Sequence, residues 1–279
     1  MSETQKRNEK KARLSVLDAE MLEIKRAYRQ QKRSLRDQRK AILQDWTQAE
    51  KDRAGQRAER SARRREERRL LSEPPVRALL EEIGSSITHG AGAALSVVAL
   101  ILLLQKADGP LAVFSGAVYG GCLLLMFLMS CLYHAFRAGS TVKRIWRRFD
   151  YCSIYLLIGG TITPILLLFI GGTLGTVLCA VMWALIAVGV TFVGVFGPMV
   201  ARALHFTLFF TIGWSAVVFV PRMWATAPAL FWLILSGGLA YTFGMIPFAM
   251  KTKGAHFIWH FFVLIGALLQ WLGIWQYVF

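Results

Sequence analysis

The sequence predicts an all-α integral membrane protein: a seven-transmembrane helix bundle, N-terminus in the cytoplasm, preceded by a basic arm that is helical or disordered. Three observations carry this expectation. From residue 84 onward, apolar segments of about 20 residues follow one another, the length that crosses a bilayer core as a helix. Charge is segregated: of a formal net charge of +16, residues 1–69 hold 22 Lys/Arg against 12 Asp/Glu, and the remaining three quarters of the chain hold 11 against 5. The short alternating strands of a membrane β-barrel are missing. Helices, which satisfy their backbone hydrogen bonds internally, are then what hydrocarbon permits, and a soluble globular domain is excluded.

Residues 1–78 read as a cytoplasmic arm and 79–279 as the membrane domain. The arm is rich in Lys, Arg, Glu, Gln and Ala, a composition that favours helix. Leu14, Leu17, Met21, Ile24 and Tyr28 recur at alternating spacings of three and four, a short a/d stripe that makes residues 14–28 a candidate for self-association. The same register puts Gln31, Gln38 and Asp45 at d, so the seam fails after two heptads. The arm closes on "RAERSARRREERR", a cation cluster suited to anionic lipid head groups at about 1 kcal/mol per cation. Glu73–Pro75 then break the helix. Nucleic acid is a poor fit as partner, because the arm is tethered to a membrane and its cations are not interleaved with aromatics.

The seven spans fall at 84–104, 111–134, 150–170, 175–196, 204–220, 229–249 and 256–277, with connectors such as "QKADGP", "GGTLG", "FGPMVAR", "PRMWATAP" and "KTKG". The stretch "RAGSTVKRIWRR" carries Arg137, Lys143, Arg144, Arg147 and Arg148; later loops on that side carry Arg202, Lys251 and Lys253. The opposite loops carry only Lys106 and Arg222. The positive-inside rule therefore puts the arm in the cytoplasm and the C-terminus outside. About 70 polar residues after Met1 argue against a cleavable signal peptide. Cys122, Cys131, Cys152 and Cys179 fall within spans without paired spacing and read as small packing residues.

Ionisable residues inside a span mark a site, because hydrocarbon penalises them unless they face the bundle interior. Here His89, His134, Asp150, His205, His256 and His260 all lie near the cytoplasmic ends of their spans. His256 and His260 stand at i, i+4 and share a helix face; Ser130 and His134 do the same on another helix. Two imidazoles on one helix and a third from a neighbour make a three-ligand zinc site, and a catalytic zinc keeps its fourth position for water. Asp150, at the same depth, can hold that water or take its proton, and Ser130 can donate a hydrogen bond into the cavity. His205 reads as a satisfied helix-end residue.

The motifs "EEIGSSITHGAG", "SCLYHAF", "RRFDYCSIYLLIGGTITP" and "HFIWHFFVL" together resemble those of the bacterial hemolysin III family, related to the progestin and adiponectin receptors and, more distantly, to the alkaline ceramidases. The resemblance covers about residues 79–279 and leaves the arm aside. It implies zinc held by His134, His256 and His260 at the cytoplasmic side of the bundle, accompanied by Ser130 and Asp150. Glu82, Ser86 and His89 of the first motif are accessory candidates. The chain departs from the expected pattern at Ser85, Tyr151 and Ile162, none of them a proposed ligand.

Two function classes follow. One is a zinc-dependent intramembrane hydrolase of a lipid amide or ester, or a role in membrane lipid homeostasis, with membrane lipids as partners. The other is a pore-forming, cytolytic or receptor-like protein with structural zinc. Either would reside, multi-pass, in a bacterial plasma membrane.

Overall fold

Each apolar run becomes a helix, and the residues between runs explain where the helices stop. The computed structural model describes residues 3–44, 48–72, 79–198, 202–250 and 252–279. The helix break expected at Glu73–Pro75, Asp45 of the arm's register, and Lys251 lie outside them. The chain divides into two units, Met1–Arg69 and Leu70–Phe279. The first holds α1 (Glu3–Gln44) and most of α2 (Gln48–Ser72), both strongly polar helices.

The second unit holds α3 (Leu79–Lys106), α4 (Pro110–Ala135), α5 (Thr141–Pro164), α6 (Gly172–Phe196), α7 (Arg202–Trp214), α8 (Val220–Thr226), α9 (Pro228–Ala249) and α10 (Ala255–Tyr277). Among the described residues, seven stretches are long and apolar enough to cross a membrane: Leu79–Lys106, Pro110–Ala135, Thr141–Ile170, Gly172–Phe196, Leu204–Thr226, Pro228–Ala249 and Ala255–Tyr277. The all-helical seven-span architecture is thus the one the sequence predicts, and no strand occurs among the described residues. Pro110 and Pro228 open α4 and α9 in the first turn, where a missing N–H costs nothing. The fifth span is composite: α7 tightens into a 3₁₀ segment, Ser215–Phe219, before α8.

One boundary differs usefully from expectation. The third span begins at Thr141, not at 150, because Ser140 caps α5 by accepting the Lys143 N–H at 3.1 Å. Its far end passes through Pro164 into a π-helical turn, Ile165–Ile170. The basic residues 143, 144, 147 and 148 therefore lie on the first turns of a helix rather than in a loop.

Contact is most extensive where α3 meets α4, α4 meets α5, and α9 meets α10. The core is built from Tyr119, Leu123, Met126 and Phe127 of α4 against Ala93, Leu157, Val263 and Ala267 of its neighbours. Small residues allow the approach: a Cβ on Gly120 would sit 2.9 Å from the Leu100 backbone. Large apolar side chains such as Leu95, Val188 and Ile265 are exposed around the outside, as lipid contact requires.

Candidate metal centre

Gly254 holds a left-handed φ of 82°, so the chain turns sharply into α10 and His256 and His260 fall in its first two turns. His134 ends α4 one residue before its last position, and Asp150 sits in the third turn of α5. The bundle brings the three imidazoles together. His256 Nε2 lies 3.4 Å from His134 Nε2 and 3.2 Å from His260 Nε2. The ligating atoms of the three lie within 4.8 Å of one another, a group that could hold a metal ion.

The donor set fits zinc. Nitrogens about 2.0–2.1 Å from a tetrahedral ion stand about 3.3–3.4 Å apart; the 3.4 Å separation matches and the 3.2 Å one is slightly shorter. The tautomer also fits. Glu82 Oε2 is 2.7 Å from His134 Nδ1, so the carboxylate accepts the Nδ1 proton and leaves the Nε2 lone pair facing the other two rings. Glu82 is in turn fixed by Lys143, whose ammonium donates to Glu82 Oε2 at 2.9 Å and to the carbonyls of Tyr133 and Phe136, each at 3.0 Å.

The remaining sequence candidates fall into three groups. Ser130 and Asp150 line one cavity of about 60 Å³ with His256, His260, His89 and Arg147. His89 stacks on His260 with ring centroids 3.9 Å apart, and lies outside the convergent group of three. Neither ring nitrogen of His89 has a hydrogen-bond partner among the described residues. Ser86 turns away and donates to the Cys131 carbonyl at 3.1 Å, tying α3 to α4. His205 belongs elsewhere: its Nδ1 lies 3.1 Å from the Tyr155 hydroxyl, beside Phe192.

Lys143 and Arg147 are the residues that sequence reasoning missed. Both counted as loop cations, yet both are buried. The available signal was spacing: Lys143, Arg147, Asp150 and Ile154 stand at i, i+4, i+7 and i+11, one face of a helix.

A second cavity, of about 200 Å³ and largely apolar, lies deeper in the bundle. Met126, Tyr151, Ile154, Phe248, Trp259 and Val263 line both cavities, so the polar centre and the apolar space adjoin.

Comparison with known proteins agrees with this architecture. The sequence model of the family described as "Haemolysin-III related" matches residues 77–271. The chain is similar to Hemolysin-3 of Bacillus cereus, 37% identical over 204 residues, covering 71% of this chain and 92% of that protein. It is also similar to a Hemolysin-3 homolog of Bacillus subtilis (strain 168), 35% identical over 192 residues, covering 67% of this chain and 89% of that protein. The matched stretch contains all three histidines and excludes α1 and α2.

Proposed function

Since this chain belongs to the haemolysin-III-related family, we propose that it is a zinc-dependent hydrolase cleaving an amide or ester linkage of a membrane lipid. The observation that carries the reading is the adjacency of the two cavities: a centre bearing His, Asp and Ser next to an apolar space of about 200 Å³. A molecule with acyl chains and a polar linkage matches that pair of environments. The protein would sit in a bacterial plasma membrane with the centre at the cytoplasmic side.

His134, His256 and His260 would hold the zinc. Zinc, when bound, supplies a Lewis acid that acidifies water and polarises a carbonyl oxygen. Asp150 takes the proton of the attacking water on its carboxylate and returns it to the departing nitrogen or oxygen as the C–N or C–O bond breaks. Ser130 donates its hydroxyl to the carbonyl oxygen as that oxygen gains charge. Glu82 keeps the His134 proton on Nδ1, which holds the ring in its ligating orientation. Arg147, on the same cavity wall, suits an anionic or phosphate-bearing head group.

The names of the relatives favour a second reading, cytolysis, in which metal braces the bundle and no bond is cleaved. A structural zinc site is normally closed by four protein ligands, and three histidines converge here, which supports the hydrolase instead.

The test is metal analysis of protein purified in native lipid, alongside mass spectrometry of a broad lipid panel. About one zinc per chain is expected, lost in the His256→Ala, His260→Ala double variant. Asp150→Asn should keep the zinc and lower turnover by roughly 10²-fold, the usual worth of a positioned base. Zinc-loaded wild-type protein that cleaves nothing while making vesicles leak would replace the hydrolase by the cytolysin.

A further inference from the structure

The arm carries a pattern that the metal centre does not use. α1 is one continuous helix from Glu3 to Gln44. In the heptad register that begins with Leu14 at a, the a positions are Leu14, Met21, Tyr28, Leu35 and Ile42, all apolar through five heptads. Leu17 and Ile24 occupy the first two d positions; Gln31 and Gln38 follow. The seven apolar residues of this stripe are 51–67% exposed. Val16, Leu22 and Leu43 fall at b and c and make no continuous second stripe. Ala19, Arg26, Arg33 and Lys40 occupy the opposite, f, face. A narrow a/d stripe on a polar helix is the seam of a coiled coil rather than the broad face of a helix buried in a globular core.

We propose that α1 pairs with α1 of a second copy of this chain as a parallel, two-stranded coiled coil, making the protein a homodimer. A parallel direction agrees with both the spans and the charges beside the seam. Two copies inserted into one membrane by the same charge rule send their arms out on the same side, and a closed pair then has its two-fold axis along the membrane normal. Arms that leave the membrane side by side along that axis pair in parallel. In a parallel pair each g residue faces the e residue five positions on in the other helix. Arg13 at g then faces Asp18 at e, and Glu20 at g faces Lys25 at e. Both pairs are opposite in sign, and two-fold symmetry makes each occur twice. They fall in the two heptads where a and d are both apolar. Beyond them, Gln31 and Gln38 can hydrogen-bond their counterparts across the seam, which keeps the register without adding apolar contact.

The experiment uses the full-length protein in vesicles of mixed zwitterionic and anionic lipid. Cysteine is placed either at a seam position, Ile24→Cys, or at an outward one, Arg26→Cys; the native cysteines lie in the spans and give the background in wild type. Under mild oxidation Ile24→Cys should give at least about tenfold more disulfide-linked dimer than Arg26→Cys, because d residues of a parallel pair face each other. Adding Glu20→Lys to Ile24→Cys should reduce that dimer, since Lys then faces Lys25. Adding Lys25→Glu as well should restore it, because the pair is opposite in sign again. Equal cross-linking at 24 and 26, or indifference to the charge reversal, overturns the proposal. So does a fluorophore at position 24 that enters the anionic bilayer at one protein per vesicle, which would give the stripe to the lipid surface instead.

Discussion

Lys143 spends all three of its ammonium protons inside the protein, on Glu82 and on the carbonyls of Tyr133 and Phe136 at the end of α4. Those carbonyls are among the acceptors that a helix C-terminus leaves unsatisfied. One side chain thus caps the helix that carries His134 and anchors the carboxylate that orients it. Glu82→Gln keeps the shape and removes the charge, so it should weaken metal binding by about 10- to 100-fold with the fold intact, read by competition with a chelator. Lys143→Met should cost more, about 3–5 kcal/mol of stability, because it leaves a buried carboxylate without its cation. Thermal unfolding in detergent separates the two outcomes. At this scale the proposed ligands were legible, since HxxxH and SxxxH place chemistry on a helix face whatever the tertiary packing. Lys143 was not, because a cation among cations in "RAGSTVKRIWRR" looks like a topological charge until α5 is seen to begin at Thr141.

Helix boundaries were the least legible feature of the elements. Hydropathy registers only apolar residues, so the polar first turns of α5 read as connector, although Ser140 was available as an N-cap. The number and order of spans, by contrast, follow from length alone and match the structure. Contacts between helices are set by small residues whose role composition does not reveal. Gly120 and Gly121 are adjacent on α4, yet a Cβ on Gly120 would stand 2.6 Å from Leu100 Cδ1 and 2.9 Å from its Cα, while one on Gly121 would meet nothing within 4 Å. Gly120→Ala should therefore lower the unfolding temperature, since forced overpacking costs about 1–3 kcal/mol. Gly121→Ala should leave it unchanged or raise it slightly, because alanine gains up to about 1 kcal/mol over glycine within a helix. The same thermal scan on both variants decides whether α3 and α4 are packed this closely.

For the whole molecule, the charge division between arm and body was plain in the sequence, and the chain separates into Met1–Arg69 and Leu70–Phe279. Seven spans put the two ends of the bundle's chain on opposite sides of a membrane. With the proposed cytoplasmic arm, a reporter that works only after export should be active when fused at Phe279 and silent when fused before Leu79. The reverse pattern would invert the orientation and move the metal centre to the outer side. The adjoining cavities were not legible, because they arise where residues from six of the seven spans meet. They have a kinetic consequence for the proposed reaction. A substrate dissolved in the bilayer reaches the centre by diffusion in a plane, so its effective supply is a mole fraction in the membrane. Diluting it with inert lipid should slow turnover, whereas diluting the vesicles with buffer should not.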